Sequence, residues 1–208
     1  MKKFLVPTII GFAMVASIAL AQSVSPSASP SPLPDPGLLP GNPLYFLDTV
    51  FERVQLLFAS GAKAKAEKSM DFAEERLSEA AALAAQGTEN RPEEALDRYQ
   101  EQLSKALEYA LEAQNDNQNV DDVLQRIAEA TVRHQEVLAR VYQQVPEEAQ
   151  DAIKQAMDNS AMGHETAIEA ISKDHQDEAR QEIDDHTQDV QDELRSFRRE
   201  GVPVPSIP

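Results

Sequence analysis

From Leu47 to Phe197 the apolar residues return at steps of three and four, interrupted at Gly61, Gly87, residues 114–119, Pro146 and residues 172–178. Steps of three and four trace one face of a helix with 3.6 residues per turn. A chain patterned this way folds by laying helical faces against one another. Composition agrees with that. Aromatic residues make up 5% of the chain, with no Trp and seven Gly. Alanine-rich seams suit closely packed helices better than a sheet, which favours β-branched and aromatic residues.

The stripes divide the chain into elements. "LPGNPLYFLDTVFERVQLLFASG" opens with Asn42 as an N-cap and Pro43 at a first helical position. Leu47, Val50, Phe51, Val54, Leu57 and Phe58 form its stripe, and Gly61 suits a left-handed stop. Five of the eleven aromatics (Tyr45, Phe46, Phe51, Phe58, Phe72) fall between residues 45 and 72. This first helix is therefore expected to carry much of the bulky core. The second helix, from about Ala62 to Gln86, has Ala66, Met70, Ala73, Leu77, Ala80 and Ala84 as a coiled-coil-like seam. Asn90-Arg91-Pro92-Glu93 resembles a capping box for a third helix, lined inside by Leu96, Tyr99, Leu103, Ala106, Ala110 and Ala113.

The fourth helix, about Val120 to Gln143, turns Val123, Ile127, Ala130, His134, Val137 and Val141 inward. Pro146 either starts a new helix in a tight hairpin or kinks a continuous one. The fifth helix has Ala149, Ile153, Ala156, Ser160, Gly163, Ala167 and Ala170 inside. Gly163 weakens a helix relative to alanine, so a neighbouring helix is expected to approach closely there. The last helix has Ala179, Ile183, His186, Val190, Leu194 and Phe197 on one face. It is strongly acidic, with ten acidic and four basic residues between 174 and 200.

The N-terminus bears on destination. Lys2 and Lys3 precede an apolar run from Phe4 to Leu20, and Ala19-Leu20-Ala21 presents small residues where a signal peptidase reads. Residues 1–21 read as a signal peptide cleaved before Gln22; an uncleaved anchor is the alternative, since the run is nearly long enough to span a bilayer. Either way the rest is expected to be exported, to the periplasm, the cell envelope or outside. Residues 22–42, rich in Ser and Pro, form a disordered linker. A helical bundle domain follows at 43–172, then the acidic helix at 173–200 and a Pro-rich tail at 201–208.

The net charge is -17. Losing Lys2 and Lys3 with the leader leaves 17 basic against 36 acidic residues, a charge of -19. Nucleic acid is a poor partner for such a chain, because phosphate binding needs clustered cations. Anionic membrane surfaces are disfavoured too, leaving an uncleaved N-terminal segment as the route to a membrane. With no cysteine, disulfides, thiolate catalysis and thiolate–zinc sites are excluded.

"LLPGNPLYFLDTVFERVQLLF", "KAEKSMDFAEERLSEAAAL" and "ATVRHQEVLARVYQQVPEEAQDAIKQAMDNSAMGHETAIEAI" resemble an exported bacterial family catalogued as domain of unknown function 5667. The resemblance covers about residues 38 to 171. It implies an all-helical exported domain of bacterial origin and carries no assigned activity.

The residues offer few reactive constellations. His134, His164, Met162, His175 and His186 are the metal-ligand candidates. In a hairpin about Pro146, facing residues sum to roughly 290, so His134 would meet residue 156 and His164 residue 126. The two rings would then lie about 12 Å apart along the axes and could not share a metal. The Glu-x-x-His motif of di-iron bundles and the His-Glu-x-x-His zinc motif are both absent. Met157, Met162 and His164 could form a soft copper site; core packing is the simpler role. Ser160 lies four residues before His164 and is conceivable as a nucleophile beside a base, but no strained elbow or oxyanion hole accompanies it. His175 and His186 sit among Asp174, Glu178, Glu182, Asp185 and Asp189, where weak divalent-cation binding competes with a plain solvated face.

The expected fold is an all-α antiparallel bundle of five to six helices. The expected role is non-catalytic, with no cofactor: an envelope or extracellular binding or scaffold module with an unidentified protein partner. The second reading is a periplasmic-type chaperone or metal-stress protein using an amphipathic surface. Such proteins often carry a Leu-Thr-x-x-Gln motif, which this chain lacks.

Overall fold

The computed structural model describes residues 33–40, 42–87 and 92–206, with the side chains of 46–49 set apart. The expected leader, its cleavage before Gln22, most of the linker, and Asn90-Arg91 of the capping box lie outside those residues. Among these residues six helices follow in order: α1 Tyr45–Phe58, α2 Gly61–Gln86, α3 Glu93–Asn115, α4 Asp121–Gln144, α5 Glu147–Ala170 and α6 Gln176–Arg199. The fold is all-α, and no strand occurs among the described residues.

Two helical hairpins form the core. α2 packs along α3, and α4 along α5; the hairpins then stack, α2 on α4 and α3 on α5. α6 lies on α4. The stripes read from the sequence for α2, α3 and α4 are buried along their whole length. α4 is buried on further sides too, with Leu124, Ala128, Leu138 and Ala139 inaccessible. Its central place, in contact with α2, α3, α5 and α6, explains this.

Pro146 makes a hairpin. Val145 and Pro146 are extended (ψ 154° and 161°), and α5 starts at Glu147. Across it, Gln135 Nε2 donates to the Met157 carbonyl (2.6 Å), Ser160 Oγ to that of Thr131 (3.1 Å), and His164 Nδ1 to that of Ala128 (2.9 Å). Facing residues therefore sum to 291 or 292, close to the expected 290, and His164 meets Ala128 rather than residue 126. A Cβ at Gly163 would stand 3.3 Å from Leu103 Cδ2. The expected close approach is thus real, and α3 makes it.

Several expectations need correction. α1 starts at Tyr45, because Asn42 closes a turn ahead of it, its Oδ1 accepting from Leu44 N at 2.9 Å. On α6, His186 faces outward and Thr187 takes the buried place, its hydroxyl bonded to the Ile183 carbonyl (2.7 Å). The end of the linker does not stand clear of the bundle: Ser78 Oγ donates to the Pro34 carbonyl (2.7 Å), and Leu33 and Leu39 pack on the core. The tail folds back likewise. Val202 and Val204 are buried, and the Arg198 guanidinium binds the carbonyls of Val204 and Pro205.

The largest correction concerns α1. Val50, Phe51, Val54, Leu57 and Phe58 do not enter the core; all are exposed, Leu57 by 82% and Phe58 by 84%. Leu47 of the predicted stripe lies outside the described side chains; among those described on this helix, the buried ones are Tyr45 and Glu52. At about 100° per residue these two lie nearly opposite the middle of the apolar stripe. α1 is mounted on the bundle by its polar side.

Candidate interaction surface

The mount is a buried charge cluster centred on Arg76 of α2, whose residue is 1% exposed. Its guanidinium pairs with Glu52 of α1 and with Glu79 (2.6 Å), and Glu75 lies 3.7 Å away. It also donates to Tyr45 Oη (2.5 Å), which in turn donates to Glu79 Oε2 (2.9 Å). Arg98 of α3 stacks over the Tyr45 ring, its Cζ 4.9 Å from the ring centre, a favourable cation–π distance. Burial opposes the charge on Arg76, but Glu79 and Glu52 more than offset it and hold its pKa above the ordinary value. Burial first, then Glu79, raises the Tyr45 hydroxyl to about 12.

This mount shares α2 with the alanine seam. Ser69, Phe72, Arg76, Glu79 and Leu83 are all buried and step by three, four, three and four, a second stripe beside the first. Three of the five are polar, so hydrophobic periodicity does not reveal it. The signal available was the Arg76–Glu79 pair in register with Phe72 and Leu83. With α1's polar side committed to Arg76, its apolar side must face away. Leu44, Val50, Phe51, Val54, Leu57 and Phe58 make up that outward face.

The metal-ligand candidates are dispersed. His134 is buried against Tyr99 of α3; Nδ1 and the hydroxyl share a hydrogen bond (3.1 Å), with the rings edge to face at 5.4 Å. Burial first, then Arg133 and Arg126, pushes His134 down to about 3, so it is neutral. His164 is also depressed by burial and uses Nδ1 on the Ala128 carbonyl. Met157 is buried while Met162 is exposed, so the two sulfurs do not share a face with His164. Ser160 gives its proton to a backbone carbonyl and not to His164. His186 is 3.4 Å from Glu129.

His175 stands in a more organised place. Asp121, in the first turn of α4, accepts from the Ser172 hydroxyl (2.5 Å) and backbone N–H (3.1 Å), and pairs with His175 Nδ1 (2.7 Å). Slight burial works against the Asp121 charge, yet His175 and Ser172 hold its carboxyl below the usual range; that hydrogen bond in turn raises His175. Ser172 Oγ is 3.0 Å from the same Nδ1. A nucleophile–base–acid relay needs the serine and the carboxylate on opposite ring nitrogens, so this cluster works as a clasp between the α5–α6 turn and α4. An open cavity of about 530 Å³ adjoins it, flanked by Lys63, Asp122, Glu178 and Glu182. Lys63 is already held by Asp122 (2.7 Å) and the Asn119 carbonyl (3.1 Å). Among the described residues no group of three or more His, Asp or Glu side chains is placed to hold a metal ion.

Among the described residues, the exposed face of α1 is thus the largest group of apolar side chains that packing leaves uncovered. Its helix also falls within the part of the chain that relates it to other proteins. The family described as "Domain of unknown function (DUF5667)" matches residues 37–148, more than half of the chain. That match stops short of residue 171, where the resemblance had ended, and so leaves out nearly all of α5. No curated protein and no solved structure matches. It takes in α1, the Arg76 mount, α2, α3 and α4, and on that match the chain belongs to the DUF5667 family.

Proposed function

We propose that this chain is an exported, non-catalytic interaction module, in which the bundle is a rigid support and α1 is the binding element. The observation that carries the reading is the orientation of α1. A soluble chain rarely leaves a contiguous apolar patch of this kind open unless something covers it. Here that orientation is enforced by a buried ion-pair cluster. Export rests on Lys2, Lys3 and the apolar run to Leu20, followed by Ala19-Leu20-Ala21.

An apolar-surface dye tests the binding element. It should fluoresce with the chain from Gln22 to Pro208 and lose most of that signal in a Leu57→Ser/Phe58→Ser variant of equal helicity. Unchanged dye binding in that variant would remove α1 from the proposal. Protease treatment of intact cells tests export, since an exported domain is digested without lysis. The same exposed face also favours the second reading, a chaperone holding unfolded clients. Suppression of client aggregation at low molar ratio, lost in the same variant, would support it over a module with one fixed partner.

A further inference from the structure

We infer that the outward face of α1 is a self-complementary interface that pairs two copies of this chain about a two-fold axis. The inference rests on α1 being the binding surface and adds what binds it.

The spacing of the face is that of a helix–helix seam. Val50, Val54 and Leu57 step by four and three, while Leu44, Phe51 and Phe58 step by seven, so the two rows run side by side. Rows of this kind interlock with another helix carrying the same rows. The described surface offers one such helix. Of its eight exposed large apolar side chains, six lie on or next to α1, and the other two, Leu38 and Met162, are separate. An isologous two-fold pair, in which each copy presents the same patch, is the commonest symmetric oligomer of soluble chains.

Size and charge agree. At about 150–250 Å² for a fully exposed aromatic, and less for Val and Leu, the face offers roughly 600 Å² per copy. Two copies would cover about 1,200 Å², at the lower edge of specific interfaces. The acid-rich α6 packs on α4 and α5, not on α1 or α2. Pairing through α1 therefore keeps both acidic helices out of the contact. A lipid surface fits less well. The face itself holds no cation, Arg53 is the single basic residue of α1, and the net charge of -17 opposes approach to anionic bilayers.

Sedimentation equilibrium of the chain from Gln22 to Pro208 tests this. The unit from Pro32 to Pro208 is compact by itself, so removing the leader spares the fold. The expected result is a monomer–dimer equilibrium with a dissociation constant of about 1–100 μM, the weak end for an interface of this size. Leu57→Ser/Phe58→Ser should weaken it at least tenfold with helicity unchanged. Added NaCl should strengthen pairing, because it screens repulsion between two acidic copies.

A wild-type chain that stays monomeric to about 500 μM, well above that range, overturns the inference, as does a dimer that survives the double substitution. If the monomer instead binds phosphatidylcholine vesicles through Leu57 and Phe58, self-pairing falls while the interaction-module reading stands. If the chain stays monomeric and neither vesicles nor dye respond to the substitution, both fall.

Discussion

At the scale of single residues, the buried polar groups have the sharpest consequences. His134 is neutral in the fold, with its pKa at about 3. Below about pH 6.5 the unfolded chain gains a proton there that the folded chain refuses, so folding is weakened by roughly 1.4 kcal/mol per pH unit, down to about pH 3. Urea midpoints at pH 7 and pH 5 should show this loss, and a His134→Leu chain should show a shallower one. An unchanged slope would mean that His134 takes up its proton in the fold. Arg76 carries a different liability. Arg76→Met strands Glu79 and Glu52 without their shared cation, and the expected cost is about 3–5 kcal/mol. Equilibrium unfolding measures it, with a loss under about 1 kcal/mol counting against a desolvated cluster. The two residues were unequally legible. His134 could be placed inward by its spacing from Ile127 and Val141, but its partner Tyr99 sits on another helix, where no periodicity reaches. Arg76 looked like one more charge in "FAEERLSEA" because the row it belongs to is mostly polar.

At the scale of elements, a stripe reveals a helix and its apolar face but not the side on which that face finds cover. For α2, α3 and α4 the cover is the hairpin mate together with the hairpin stacked on it, and the reading held residue by residue. For α1 the same logic pointed the stripe inward, whereas Glu52 and Tyr45 decide the orientation. Leu57→Ser and Phe58→Ser should each change stability by no more than about 0.5 kcal/mol. A core truncation such as Leu77→Ala should cost about 2–5 kcal/mol. Thermal unfolding separates the two, and a core-sized loss at Leu57 would contradict the outward face. Gly163 makes a converse case on α5. Alanine normally adds about 1 kcal/mol to a helix interior relative to glycine. With buried Leu103 only 3.3 Å from the new methyl, Gly163→Ala should deliver clearly less than that. A full gain would show that Leu103 yields freely.

At the scale of the whole molecule, the hairpin order and its register near 290 could be read because Pro146 fixes the turn and the seams fix the faces. The placing of α6 on α4, the return of the tail through Val202 and Val204, and the packing of Leu33 and Leu39 could not. Each depends on a groove that exists only after the four central helices have assembled. The same hierarchy bears on how the chain comes apart. The core residues run from Ala62 to Val204, whereas the described anchors of α1 are the Arg76 cluster and Arg98 over Tyr45, and α1 joins α2 at the Ala59–Gly61 corner, where Gly61 has φ 88°. Brief trypsin treatment should therefore give a two-step ladder. Early cuts would fall at Arg53 or Lys63 and shed α1, leaving a resistant helical remainder that mass spectrometry can define. Proteolysis would thus treat α1 as a removable handle on a bundle that keeps its shape without it.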